Sequence, residues 1–548
     1  MKRIVSLSLI LVITGITMAQ SSYQKELEAF KKKQQAEYSQ YKKDRQAEYD
    51  AYRKQINDEY AEFMKHRWEE MQGKPAEKPK KEPEVKPVIY VEPTPEPVVE
   101  PTPEPAPEPK VEPKVEPKEE PKVEPKEEPK VEPKEEPKVE PKEEPKVEPR
   151  VVPKELPIKP EVVVIPVPAP APKPIAPVQP KEGKQPLKKT SISFYGSLLS
   201  VNFPEPDKFK LTNLDESTLA DAWKQLADKK YDVVLSNLLT IREEMKLVDW
   251  GYLRLVQEIT KKHYGATNEA TFMQAYLMTQ SGYKVRLAKS QDTLYMLVTC
   301  SYTLVGRKYF ILDGEPFYTL DNDVSKLQIC PATVKDEQPL SIQISALQAL
   351  NKELSDKRTL RSKKGVSVSV SVNKNEIDFY EQYPCGYLGK KPWSDVAVYA
   401  NTPLDTTIQE QLYPAFQKMI QKMNQKDAAN ILLNWVQTAF EYECDDKVWG
   451  VERAFFPAET LFYPYCDCED RSILFSRLMR DLLHLDVVLI YYPGHLATAV
   501  HFTEDVKGDY ITYDGKKYVV CDPTYIGAPI GETMPGMDNQ TAEVIVLQ

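Results

Sequence analysis

The chain has 548 residues, with 83 Asp and Glu against 73 Lys and Arg, a net charge of −10, and 48 prolines. That charge is modest for the length and no basic stripe runs along the sequence, which argues against nucleic-acid binding. Seven cysteines are an odd number, which suits one free thiol and up to three pairs, and equally suits seven free thiols.

Lys2 and Arg3, the apolar stretch 4–16 and the small-residue run Thr17-Met18-Ala19 have the order of a secretory signal, read over residues 1–19. The apolar stretch is too short for a comfortable membrane span, and no cysteine follows it for lipid attachment. The expectation is an exported protein, periplasmic or in the cell envelope or secreted, with no membrane span in the mature chain. Residues 20–73 read as one long charged helix or coiled coil, with 22–72 as its body. Aromatics recur every eleven residues, at Tyr38, Tyr49 and Tyr60, with Tyr41, Tyr52 and Phe63 three positions later. Eleven residues make three turns, so the stripe stays on one face and coils slightly right-handed. A helix this polar needs a partner for such a stripe. Self-association is the first expectation, and docking on another envelope component the second.

Residues 74–187 are low in complexity, with Pro-Lys-Val-Glu-Pro-Lys-Glu-Glu units repeated through 112–149. Such a composition buries no core and favours polyproline II, so the stretch reads as a disordered tether. The folded part begins near residue 188 and is long enough for two domains, read as 188–345 and 346–548. Residues 341–360 read as helical, and Val366 to Val372 alternate as a half-buried strand. Residues 407–423 and 427–443 read as amphipathic helices. After Cys468, apolar residues at Leu474, Phe475, Leu478, Met479 and Leu482 fall at helical spacing. Residues 496–502, 510–513 and 518–521 read as strands, the last two joined by a turn at 514–517. The class is α+β.

Three residues in this last region carry chemistry: Cys468, His495 and Asp522. A thiol, an imidazole and a carboxylate can form a nucleophile, its base and the orienter of that base. Cys468 opens a helix, where the dipole favours a thiolate. His495 opens an apolar strand. If the strand ending at Asp522 pairs antiparallel with it, the carboxylate arrives beside the imidazole. Cys466 is a rival nucleophile, and His501, six residues beyond His495, reads as a surface or core residue. A zinc site from Cys466, Cys468 and His495 is a lesser alternative, since no second ligand pair at structural spacing accompanies them.

Cys468-Glu469-Asp470 opening a helix, His495 with its strand and Asp522-Pro523-Thr524 together resemble the transglutaminase-like superfamily, with its papain-like Cys-His-Asp fold. The likeness covers roughly residues 427–524 and departs from the family pattern at Cys466 and Ala497. It implies Cys468 as nucleophile, His495 as general base and Asp522 as orienter. The implied activity is that of an exported cysteine-dependent amide or acyl hydrolase, a peptidase or amidase, or a transamidase. It needs no cofactor and no metal, and it acts on a protein or peptide, a cell-wall peptide among the candidates. The alternative is a non-catalytic envelope scaffold or binding protein on a Pro-rich tether.

The run from Tyr309 to Asp321 parallels that from Tyr510 to Asp522, Asp-Gly included, and Val285, Leu287, Leu294 and Val298 lie 202 positions before Val487, Leu489, Leu496 and Val500. In that register Cys468 faces Ala266, His495 faces Thr293, and only the carboxylate survives, as Asp321. Residues 188–345 are therefore expected to be a degenerate transglutaminase-like copy, without thiol or base.

Overall fold

A single α-helix, Lys2–Met64, leads into the body of the protein. The computed structural model describes residues 2–77, 85–92, 161–164, 166, 169–178, 185–207, 209–320 and 324–548, with side chains placed from residue 28 onward. The signal read over residues 1–19 and the carboxylate Asp321 thus lie outside the described side chains. Among the described residues no helix is long and apolar enough to cross a membrane.

The helix stops at Met64, short of the expected residue 72. Trp68 folds back, buries its ring and donates its indole N–H to the Met64 carbonyl (3.0 Å), which satisfies a carbonyl the helix end leaves open. Glu69–Gln72 then continues as a strand. The last turns of the helix dock on this chain's own body. Arg53 donates to Asp232 (2.6 Å), Trp223 donates to Asn57 (2.8 Å), and the Tyr60 ring stacks on Trp223 at 4.2 Å. Of the aromatic stripe, Tyr60 is buried here, while Phe30, Tyr38, Tyr41, Tyr49 and Tyr52 are exposed.

Two helix-and-sheet modules follow. In the first, helices Asp249–Tyr264 and Asn268–Gln280 accompany a six-stranded sheet. Its order is Glu69–Gln72, Lys326–Ile329, Val285–Ser290, Thr293–Val298, Glu315–Thr319, Tyr309–Leu312. In the second, helices Gln425–Ala439 and Cys468–Leu483 accompany another six-stranded sheet. Its order is Glu161–Val164, Glu543–Val546, Asp486–Tyr492, His495–His501, Lys516–Cys521, Tyr510–Tyr513. The two orders correspond strand for strand, and so do the central registers. Val285 lies opposite Val298 as Val487 lies opposite Val500. Leu297 lies opposite Thr319, and Ala499 opposite Val520 one step along from Thr498 and Cys521. Tyr309 lies opposite Tyr318 as Tyr510 lies opposite Val519. Each outer hairpin turns on Asp-Gly, and all four turn residues have positive φ: Asp313 50°, Gly314 83°, Asp514 47°, Gly515 73°. That conformation is the one two-residue hairpins need and Asp-Gly supplies.

Two expectations are corrected. Residues 341–360 are not helical: Leu340, Ile342 and Ile344 are buried in alternation, the Ser341 N–H is held by Asp249 (2.9 Å), and no regular element forms before the strand Arg358–Arg361. The stretch read as a tether is also seated at both flanks. The Val85 N–H donates to the Gly494 carbonyl (3.2 Å), and the Tyr90 N–H donates to the Ile526 carbonyl (2.9 Å). Glu161–Val164 joins the second sheet as a parallel strand beside Glu543–Val546. The Ile175 N–H donates to the Gln280 carbonyl (3.1 Å) of the first module.

Candidate active site

Cys468 is the first residue of its helix, and Asp467 is the N-cap. Asp470 holds the cap from within the helix: the Asp467 N–H donates to its carboxyl (3.2 Å). Asp470 also accepts from the Phe455 N–H (2.8 Å), so both its oxygens hold backbone in place. Ser472 donates to the Leu496 carbonyl (2.9 Å), tying the first turn of this helix to the strand that His495 opens. The Leu496 N–H in turn lies within hydrogen-bonding reach of the Cys468 sulfur. These links set the thiol beside the residue that follows the imidazole.

The strand Lys516–Cys521 pairs antiparallel with His495–His501, and Asp522, just past its end, meets the histidine. His495 Nε2 donates to Asp522 Oδ2 at 2.8 Å, and both side chains are fully buried. Asp522 Oδ1 accepts from the Thr524 and Tyr525 N–H groups (2.8 and 3.2 Å), so both oxygens are engaged. The other imidazole nitrogen, Nδ1, is buried and has no hydrogen-bond partner among the described residues. The Tyr492 ring lies nearly parallel to the imidazole, 6.1 Å away.

Cys468 and His495 line one cavity of about 630 Å³, which Trp393 and Tyr491 also border. These two rings stack at 5.2 Å. The structure thus brings together all three residues singled out from the sequence. It separates the rivals. Cys466 does not line the cavity; its buried thiol faces the Glu441 carbonyl and is pushed up to about 11 by burial. His501 sits at the far end of the strand, donating from Nδ1 to the Lys517 carbonyl (2.9 Å). Cys466 lies outside the cavity that Cys468 and His495 share, and the ligand atoms of these three residues do not converge, so the zinc triad of Cys466, Cys468 and His495 does not assemble. No disulfide joins any of the seven cysteines.

The thiol differs from expectation. Cys468 is buried and donates its S–H to Glu469 (3.1 Å). Burial, then the carboxylates of Glu469 and Asp467, push it well above the ordinary thiol value. The field of a helix end is worth about 0.3–1 kcal/mol, less than the roughly 1.4 kcal/mol of one pKa unit. Burial and two neighbouring carboxyls therefore prevail, and the resting group is a neutral thiol.

One positioning residue escaped the sequence reading. Gln437 donates from its side-chain amide to the carbonyls of Asp522 (3.1 Å), Tyr525 (2.8 Å) and Ala528 (3.0 Å), which fixes the loop that carries the carboxylate. A lone amide within the apolar run from Trp435 to Phe440 was the available signal. Arg471, also buried, closes the same helix by donating to the Gln437 and Phe440 carbonyls (3.3 and 3.0 Å).

In the first module the place of Cys468 belongs to Asn268, not Ala266. Asn268 is likewise the first residue of its helix and accepts from the Leu294 N–H (2.9 Å), the counterpart of Leu496. The helix register is shifted by two residues from that of the strands, a slip that strand matching alone does not reveal. Thr293 opens its strand as His495 does. Compared with protein-family models, with curated proteins and with solved structures, the chain matches none, so the case for any activity stands on this geometry.

Proposed function

We propose that this chain is a cysteine-dependent amide or acyl hydrolase, or a transamidase, of the transglutaminase-like type. Cys468 is its nucleophile, His495 its base and Asp522 the orienter of that base. The observation that carries the reading is the buried imidazole, whose Nε2 is fixed on Asp522 while Nδ1 is left unengaged in a cavity shared with the thiol. His495 Nδ1 takes the Cys468 proton as sulfur attacks a carbonyl carbon. First-turn N–H groups, which have no partner within the helix, stabilise the oxyanion. Imidazolium returns the proton to the leaving amine, and the thioester is released by water or by a second amine.

The common strand order, registers and Asp-Gly turns support reading residues 188–345 as a degenerate module of the same kind, with Asn268 and Thr293 in place of nucleophile and base. The charged, apolar and small residues of 1–19 support export, and a protein or peptide substrate follows only from the transglutaminase-like reading of the site. A second reading, a non-catalytic scaffold, is favoured by one observation: the S–H is held by Glu469.

Iodoacetamide at pH 7, read by peptide mass spectrometry, separates the two. Cys468 should be labelled in the wild type and at least tenfold more slowly in His495→Ala, with Cys466 as the unchanged internal control. Equal rates in the two proteins would sink the base assignment and leave the scaffold. The exposed aromatics of the N-terminal helix support self-association through residues 22–72. Sedimentation should show an oligomer that Tyr38→Ser with Tyr49→Ser returns to a monomer; a wild-type monomer at tens of micromolar would rule this out.

A further inference from the structure

A second cavity, of about 380 Å³, shares Tyr380 with the one that holds Cys468 and His495. Its size is within the range of small-molecule sites, about 300–1,000 Å³. Apolar lining comes from Ile344 and Leu350, and charged lining from Glu376, Asp405, Lys246 and Lys352.

These charges are ordered by depth. Glu376, on the helix Lys374–Glu381, is 7% exposed. Its Oε1 accepts from Tyr380 (2.8 Å), and its Oε2 is buried without a hydrogen-bond partner among the described residues. Asp405 is half-buried, and one of its oxygens accepts from the Thr407 and Ile408 N–H groups (2.6 and 3.2 Å). Lys246 and Lys352 are exposed, and Lys352 donates to Thr407 (2.7 Å). The charges that act on Glu376 are Asp405 and, from the helix Pro457–Phe462, Glu459, which is paired with Arg453. Both are carboxyls. A buried carboxylate oxygen without a donor is costly, and among like charges the partner it lacks is a proton or a cation.

We infer that this cavity is a binding site for a small zwitterion of dipeptide size, its ammonium taken by Glu376 and Asp405 and its carboxylate by Lys246. The order of burial sets the orientation. The amine goes inward to the carboxyls, and the carboxylate stays at the exposed lysines. The apolar lining accepts short aliphatic side chains. Ligand and proton compete for one oxygen: burial raises the Glu376 pKa from 4.5 to about 7, so below that value the carboxyl keeps its proton, and binding an ammonium releases it. Affinity therefore rises between pH 6 and 7.5, where the ligand's amine, with an ordinary value of about 7.7–8.0, is still largely charged. The site uses neither Cys468 nor His495 and does not depend on the catalytic reading.

The test is calorimetric titration of the full chain with L-alanyl-L-valine at pH 7.5 and at pH 6. Saturable binding on the order of 1 mM or tighter is expected at pH 7.5, which is what so few non-hydrogen atoms ordinarily yield. Binding should be at least threefold weaker at pH 6. Glu376→Gln, with its fold checked by circular dichroism, should weaken binding at least tenfold at pH 7.5 and remove the pH dependence. N-acetyl-L-alanyl-L-valine, which lacks the ammonium, should not bind, and L-alanyl-L-valine amide, which lacks the carboxylate, should bind at least threefold more weakly. His495→Ala should bind as the wild type does. No saturable heat up to 10 mM would mean that a proton alone meets Glu376, and would overturn the site. Full binding of the acetylated dipeptide, or full binding by Glu376→Gln, would overturn the ammonium contact. Full binding of the amide would overturn the role of Lys246, and loss of binding in His495→Ala would put the dipeptide in the other cavity and overturn this one.

Discussion

Arg53→Ala should destabilise the folded chain by about 3–5 kcal/mol, the usual cost of removing one partner from a buried ion pair. Arg53 and Asp232 are both almost fully buried, 6% and 2% exposed at the side chain, and 179 residues apart in sequence. The alanine variant would leave Asp232 buried and unpaired in the first turn of its own helix. Chemical unfolding followed by tryptophan fluorescence measures the loss, and limited proteolysis shows whether the N-terminal helix becomes easier to cut. Arg53→Leu combined with Asp232→Leu should recover most of the stability, since buried pairs exchange for apolar ones at little net cost. A loss under 1 kcal/mol in the single variant would mean that Tyr60, Met64 and Trp68 hold the helix without the charge.

The second large effect depends on pH. Glu376 is buried; one oxygen accepts from Tyr380 (2.8 Å) and the other has no partner among the described residues. Burial raises its pKa from 4.5 to about 7. The folded state therefore holds a proton that the unfolded chain gives up earlier. That contribution to stability is complete below about pH 4.5 and is lost as pH rises through about 7. At 1.36 kcal/mol per unit the total is roughly 3 kcal/mol. Glu376→Gln keeps the shape and cannot ionise. It should match the wild type near pH 4.5 and be about 2–3 kcal/mol more stable at pH 8. Glu459, pushed up to about 7 for the same first reason, burial, keeps its own share of the slope. Parallel melting curves for variant and wild type across that range would refute the buried-acid account.

What the sequence revealed was local. The helix from Cys468, the strand from His495 and the hairpin around Asp514-Gly515 each have a periodicity or turn chemistry readable within about ten residues. They account for most of the second module and its three site residues. What it hid was set by tertiary contact. Trp68 ends the long helix only because its ring finds a pocket in the body. Residues 341–360 carry helix-forming residues, yet alternate burial at Leu340, Ile342 and Ile344 keeps the start of the segment out of a helix. Asn268 was missed because helix and strands shift by different amounts between the two modules. The state of the Cys468 thiol depends on where Glu469 and Asp467 turn, which spacing does not encode. Gln437 looked like an interruption of an apolar face and is the clamp on the Asp522 loop.

The seating of residues 85–92 and 161–164 changes what counts as a separable piece of this protein. The first sheet is completed by Glu69–Gln72 and the second by Glu161–Val164, both from the chain before residue 188. A fragment starting at 188 would lack a strand from each sheet, and Glu543–Val546, with its apolar sequence, would become a bare edge open to pairing with other chains. A protease cut anywhere between 93 and 160 would do the opposite. It would yield two polypeptides that stay joined through the first sheet, the Val85 and Tyr90 backbone hydrogen bonds and the buried Arg53–Asp232 pair, so the nicked protein would purify as a stable heterodimer of its own halves.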